Sequence, residues 1–179
     1  MGQDLLKRKA EMLNTLYNTD DDVYILDPER EFAALAMLSG SEVVKISAGS
    51  ETYVNPLDMD LDYGEGDDDG NDPVTLKSNF IISLCETAVG GRFGLSPNEK
   101  SIIDRCVRLI YKPYLEYMTT VKDKSIDVNK MPTLRDFYNL LMAQPEPEAQ
   151  QIAFLLEIYC TGSLDSFAHR TNVNTKSKY

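Results

Sequence analysis

The 179-residue sequence lacks the apolar segments that membrane and secreted proteins carry. No apolar run approaches the roughly 20 residues that a membrane-spanning helix needs, so we expect no membrane insertion. Leu5 and Leu6 are followed at once by Lys7, Arg8 and Lys9. That order leaves no apolar centre for a signal peptide, and it predicts a cytoplasmic protein.

Metal ligands and disulfide partners are also scarce. His169 is the only histidine, so a histidine-based metal centre has no second ligand. The three cysteines, Cys85, Cys106 and Cys160, are far apart, and each lies in an apolar helical pattern. This arrangement favours reduced thiols in a core over a disulfide framework or a metal site.

Basic residues are outnumbered by acidic ones. Eighteen Lys and Arg against 29 Asp and Glu give a formal net charge of -11. A field of that sign repels phosphate backbones and anionic lipid, so we expect no direct binding of nucleic acid.

Eight of the acids fall between Asp58 and Asp72 without a basic residue among them. Asp58, Asp60 and Asp62 occupy the first, third and fifth places of a calcium-binding EF-hand loop. The pattern then fails, because Tyr63 stands where glycine is needed and Asp69 where glutamate is needed. The segment 58–72 is therefore predicted to be a solvated acidic loop.

The first 57 residues alternate between helical and strand-like patterns. An amphipathic helix from Leu5 to Tyr17 precedes the apolar run 23–26, which is typical of a strand buried on both faces. A second helix follows Pro28, and residues 42–46 form another β-branched run. This order predicts two parallel strands joined by a right-handed crossover helix, and hence an α/β core over residues 1–57.

Residues 73–168 carry only helical patterns, and 169–179 are expected to form a tail that returns to the core. The first of these helices opens at Asp72-Pro73 and is expected to bury one stripe of apolar residues, namely Leu76, Phe80, Leu84 and Ala88. Ser96-Pro97-Asn98-Glu99 combines an N-cap, a proline at the first helical position and a capping box. Thr133 is expected to cap a further helix. Another helix is predicted from Glu146 to Thr161, with Ile152, Leu155, Leu156 and Tyr159 on its apolar face. Pro113 is expected to kink or break the helix that begins at Pro97.

A cluster of acids follows the first predicted strand. Asp27, Glu29 and Glu31 lie at its carboxyl end, which is where open α/β sheets place their ligands. A glutamate held there can polarise a water molecule. Equally, Asp27 could cap the next helix while Glu29 and Glu31 favour its first turn through the helix dipole. Spacing alone leaves both interpretations open.

Other polar segments carry weaker signals. A phosphate-binding loop is superficially suggested by the glycine-rich segment 90–94, which is followed by Lys100-Ser101. The sequence, however, contains no G-x-x-x-x-G-K-S/T motif. Because these glycines lie between two predicted helices, we interpret them as a helix-terminating loop. The segments 55–58 and 169–172 are turn-like and polar, and the sequence assigns neither a role.

Several motifs in a fixed order resemble one family. They are TDDDVYILDPEREF from Thr19, VKIS from Val44, NPLD from Asn55, LKSNFIISLCETAVGG from Leu76, KSIIDRCVRLIY from Lys100, PTLRDFYNLLMAQ from Pro132 and EIYCTGSLDSFAHRTNV from Glu157. Together they resemble the VirB-class ATPases of type IV secretion and conjugative transfer. The resemblance covers nearly the whole chain. It implies a partial RecA-like P-loop core plus a mostly helical subdomain.

In that family, the phosphate-binding loop precedes the helix matching Leu5 to Tyr17, and the Walker B strand follows the segment matching 169–174. Neither motif occurs in this sequence. The resemblance therefore implies an internal fragment that lacks Walker A and Walker B and is inactive alone. Glu29, Asp27 and Glu31 would serve hydrolysis only in a complete motor, which would also hold the ATP and magnesium.

The resemblance also implies partners and a location. We expect other motor or secretion-channel subunits as partners, at the inner face of the cell membrane. Self-association through exposed apolar strand edges is a further expectation. The alternative, from a different class, is a free-standing acidic helical protein that binds a partner without any nucleotide.

Overall fold

The computed structural model describes residues 2–47, 49–59, 72–121, 127 and 129–173. The described residues fall into two compact units, which are the N-terminal unit up to Lys45 and the helical unit Ile46–Val173. The predicted limits of the α/β core, the helical subdomain and the tail stay predictions. Most of the acidic loop, including Asp60 and Asp62, lies outside the described residues.

Two helices lie in the described residues of the N-terminal unit. Helix α1 spans Gly2–Asn18, and the short helix α2 spans Ala33–Leu38. A helix was predicted here with Leu6, Ala10, Leu13 and Tyr17 on its apolar face, but its buried side chains are Met12 and Leu16, and Leu6 and Tyr17 are 68% and 67% exposed. No other apolar side chain of this unit's described residues is buried to that degree.

The predicted partial RecA-like α/β core is wrong for the described part of the chain, which contains helices and no β-strand. The segments 23–26 and 42–46 are irregular, and Tyr24 and Leu26 are 79% and 95% exposed. A β-branched apolar run indicates a tendency to be buried. A strand additionally requires a neighbour that pairs with its N–H and C=O groups, and the pattern does not specify one.

The helical unit contains four α-helices and a short 3₁₀ helix in its described residues. They are α3 Pro73–Val89, α4 Pro97–Thr120, α5 Leu134–Met142, α6 Pro147–Cys160 and the 3₁₀ helix Asp165–Phe167. Helix α4 contacts α3, α5 and α6, and α5 packs along α6. The main hydrophobic core lies among these helices.

The predicted helix starts are confirmed. The Ser96 hydroxyl accepts the Glu99 N–H, and the Glu99 carboxylate accepts the Ser96 N–H at 2.7 Å. Thr133 forms the same reciprocal pair with Asp136 at the start of α5. Helix α4 is not broken at Pro113 and continues to Thr120.

The core differs in part from its prediction. On α3 the sequence favoured a buried stripe of Leu76, Phe80, Leu84 and Ala88, but the buried stripe is Val74, Lys77, Ser78, Ile81 and Cys85. Both stripes have helical spacing, so periodicity alone could not choose between them. The interpretation of the three cysteines is confirmed, because all are buried and unpaired.

None of the described helices combines the length and the apolar character that spanning a membrane would require.

Candidate functional site

The predicted catalytic acids share one turn in the N-terminal unit. The two carboxylate oxygens of Asp27 accept the backbone N–H groups of Glu31, at 2.9 Å, and of Phe32, at 2.8 Å. Arg30 has a φ of 57°, a left-handed conformation that is uncommon outside glycine. The side chains of Glu29 and Glu31 are exposed. Asp27 therefore holds the turn that displays the two glutamates.

A groove of about 380 Å³ lies beside this turn, between α1 and residues 23–26. Its lining includes the apolar side chains of Met12, Val23 and Phe32, with Arg8 and Glu11 as charged members. Asp27, Glu29 and Glu31 are not among its lining residues. The groove and the predicted acids are thus separate features of the N-terminal unit.

The structure brings together the two polar segments to which the sequence assigned no role. Asn55 and Asp58 meet Thr171 in a cluster that we call the polar junction. The Asn55 N–H donates to the Thr171 hydroxyl at 2.8 Å, and that hydroxyl donates to the Asp58 carboxylate at 2.5 Å. The Asn55 side-chain amide donates to Asp58 at 2.8 Å and to the Pro132 carbonyl at 2.9 Å.

The same two segments are joined beside the polar junction. The Asn172 side chain accepts the Tyr53 N–H at 2.8 Å and donates to the Glu51 carbonyl at 2.7 Å. The Asn172 N–H donates to the Tyr53 carbonyl at 3.2 Å. The segment that leads into α3 and the segment that follows α6 therefore lie side by side.

Two buried side chains fix the polar junction to the helices. The Lys77 ammonium of α3 donates to the Pro56 carbonyl at 3.2 Å, and the Tyr111 hydroxyl of α4 donates to the Leu57 carbonyl. Burial lowers the pKa of Lys77, while the negative charge of Asp58 opposes that shift. Burial also raises the pKa of Tyr111. The hydroxyl therefore stays protonated and remains a donor.

His169 borders this cluster. Its Nε2 lies 2.9 Å from the Asp165 carboxylate, and its ring centroid lies 4.4 Å from that of Tyr53. Asp165 also pairs with Arg135 at 3.6 Å. The only histidine of the chain thus joins the 3₁₀ helix to the segment around Tyr53.

The polar junction is built to connect elements. Its donors and acceptors are used by one another or by backbone groups, which is how buried polar groups are normally accommodated. Among the described residues, no group of three His, Cys, Asp or Glu side chains could hold a metal ion. Sequence reasoning missed Lys77 and Tyr111. Lys77 could have been found from its spacing with Val74, Ile81 and Cys85, which puts a charge in the middle of a buried stripe.

The glycine-rich segment 90–94 is a helix-terminating loop, as predicted. It lies between α3 and α4, and the Gly90 N–H donates to the Glu86 carbonyl at 3.0 Å. Lys100, the lysine that a phosphate-binding loop would need, pairs instead with the Glu86 carboxylate at 2.9 Å.

Within the described ranges, the predicted residues do not come together as a site for ATP and magnesium. Asp27 holds its own turn, Lys100 is paired with Glu86, and the sequence contains no phosphate-binding motif. We therefore derive no catalytic step from this chain.

No family model matches the sequence, and no curated protein matches it. Among solved structures, the chain is similar to VirB4 of Thermoanaerobacter pseudethanolicus, with a TM-score of 0.70 and 20% sequence identity. The similarity covers 97% of this chain, which spans 44% of the VirB4 chain. It confirms the resemblance that the motif order indicated, at the level of the fold. The chain is VirB4-like in fold over nearly its whole length.

Proposed function

We propose that this chain is a portion of a VirB4-like motor ATPase of type IV secretion, and that its helical unit is a rigid accessory module of that motor. The observation that carries the proposal is the similarity of fold to VirB4 across 97% of the chain. The motif order in the sequence supports the same relation. The partners under this proposal are other motor or channel subunits at the cytoplasmic face of a membrane.

The polar junction supports the role of the helical unit. Hydrogen bonds tie the segment before α3 to the segment after α6, and Lys77 and Tyr111 tie both to the helices. Because the segment that enters the helical unit and the segment that leaves it are hydrogen-bonded to each other, a displacement of either segment moves the unit as one body. Packed and hydrogen-bonded elements of this kind carry mechanical coupling between sites.

For the nucleotide chemistry, the proposal assigns Glu29 to hydrolysis in a complete motor. Its exposed carboxylate is available, whereas Asp27 is engaged in holding the turn. Asp27 is then a positioning residue, and Glu31 is an exposed neighbour on the same turn. ATP and magnesium would be bound by elements that this chain does not contain, so the chain alone is proposed to be inactive.

A chimeric protein tests this proposal. The chain replaces the matching region of the Thermoanaerobacter VirB4, and hydrolysis of ATP is measured with magnesium. We expect the chimera to hydrolyse ATP and the isolated chain to stay at background. Glu29→Gln should lower the chimera's kcat by about 100-fold or more, the usual scale for losing a positioned acid or base.

Glu148→Gln is the control, because it removes the same charge at an exposed position outside the predicted catalytic turn and should leave the rate within about threefold. Hydrolysis by the isolated chain that Glu29→Gln abolishes would contradict the proposal. So would a folded chimera without activity. That second outcome would favour the alternative, a free-standing acidic helical protein that binds a partner without nucleotide. The exposed side chains of Phe93 and Phe154 are consistent with binding a partner.

A further inference from the structure

The loop between α3 and α4 displays an aromatic side chain to solvent. Phe93 is 92% exposed, and the Arg92 guanidinium lies 5.8 Å from the centre of its ring. A phenylalanine so exposed gains stabilisation when another surface covers it. Because the adjacent Arg92 is positively charged, a covering surface with a negative charge is favoured. We call residues 91–94 the Phe93 loop.

The backbone of the Phe93 loop is fixed at its base. Gly91 and Gly94 have φ values of 57° and 71°, and a Cβ atom on Gly94 would come within 2.6 Å of Glu86 Oε1. The same carboxylate accepts the Leu95 N–H at 3.3 Å and pairs with Lys100 at 2.9 Å. A loop held in this way loses little conformational freedom when it binds, which favours association.

The Phe93 loop lies away from the polar junction. Lys77, near the start of α3, contacts the junction, and the loop follows the other end of that helix. At 1.5 Å per residue, the 17 residues of α3 span about 25 Å. The loop therefore lies at the end of α3 that is opposite to the polar junction.

Helix α6 presents a surface of complementary chemistry. Phe154 and Ile158 are 71% and 46% exposed, and their spacing of four residues places them side by side. Glu157 lies on the same face. No ion pair joins Glu157 to another residue of the described chain, and the same holds for Arg92. We call these three residues the α6 face.

We infer that the Phe93 loop of one copy of this chain docks on the α6 face of a second copy, where Phe93 packs on Phe154 and Ile158 and Arg92 pairs with Glu157. A lipid surface fits less well, because the chain carries a net charge of -11 and the loop a single cation. The two surfaces differ, so the contact is heterologous and each copy can bind two others. This inference does not depend on the proposed function.

Sedimentation velocity of the full chain over a range of concentrations tests the contact. The unmodified chain should associate beyond the dimer. Phe93→Glu and Phe154→Glu should each weaken association by at least about tenfold. Mixed together, the two variants should form a one-to-one dimer that grows no further, because only one intact loop and one intact face remain.

Leu109→Glu on α4 is the matched control, since Leu109 is also 46% exposed but belongs to neither surface. It should associate as the unmodified chain does. Circular dichroism of each variant checks that the helices are retained, as expected for substitutions at exposed positions.

A charge exchange provides a second measurement. Arg92→Glu and Glu157→Arg should each weaken association, and the double variant should recover it. The inference is overturned if the unmodified chain is monomeric at every concentration, if association survives both phenylalanine substitutions, or if the mixture and the charge exchange both fail to restore binding.

Discussion

At the scale of single residues, Asn55 is the centre of the polar junction. Asn55 is 4% exposed. Its side-chain amide donates to Asp58 and to the Pro132 carbonyl, and its side-chain oxygen accepts the Leu57 N–H. One amide therefore holds its own turn, residues 55–58, and ties that turn to the segment that precedes α5. Such a residue contributes more than any one of its hydrogen bonds, because its removal leaves several buried groups without a partner.

We predict that Asn55→Ala lowers the free energy of unfolding by about 2–4 kcal/mol, since buried donors and acceptors lose their partners. Urea unfolding followed by circular dichroism measures the change. Asn79→Ala, at an exposed position of α3, is the control and should stay within about 0.5 kcal/mol. Equal effects of the two substitutions would show that the junction does not depend on the Asn55 amide.

The polar junction marks the limit of what single-residue patterns predict. Asn55 and Thr171 were both recognised as turn-like and polar, but 116 residues separate them. Turn chemistry is local and depends on neighbouring residues, so it identified the two segments. Which segments meet depends on how the helices between them pack, and no local signal carries that information.

At the scale of elements, the helix ends followed the sequence, while the buried faces followed it only in part. The capping boxes at Ser96 and Thr133 involve residues three apart, so they form whenever the helix forms. The buried faces depend on neighbouring helices, and Leu155, expected in the core, is 43% exposed. The predicted strands failed for the same reason, because a strand needs a partner outside its own segment.

The connection between α3 and α4 is predicted to be sensitive to acid. A hydrogen bond from Lys100 and another from the Leu95 backbone lower the pKa of Glu86 below its ordinary value of 4.5. The unfolded chain therefore binds the proton more readily. The stabilisation contributed by Glu86 is complete at pH values above the pKa that Glu86 has in the unfolded chain. It is lost as the pH falls through the lower pKa that Glu86 has in the folded chain.

Glu86→Gln should consequently be less stable than the unmodified chain near neutral pH, and the difference should vanish in acid. Urea unfolding at a series of pH values measures it. In a Lys100→Met background, the effect of Glu86→Gln should shrink, because the principal cause of the pKa shift is gone. A difference between the two chains that does not change with pH would contradict the assignment.

At the scale of the whole molecule, apolar burial is unequally divided between the two units. The described hydrophobic core lies in the helical unit, where Ile81, Ile103 and Phe137 are fully buried. The N-terminal unit buries Met12 and Leu16, whereas Leu26 and Leu38 are 95% and 84% exposed. Its helices therefore have little tertiary packing to support them, and short helices are marginal without it.

We predict that backbone amides of α1 and α2 exchange with deuterium at least about 100-fold faster than those of α3, α4 and α6. The amides of residues 81–89 and 102–107 should be the slowest, because they lie where the buried side chains of α3 and α4 meet. Hydrogen exchange read by mass spectrometry resolves these segments in the full chain. In Asn55→Ala, exchange should accelerate within the helical unit and stay unchanged in α1, because the polar junction lies within the helical unit. Uniform protection across both units would show that the N-terminal unit is stabilised by contacts other than apolar burial.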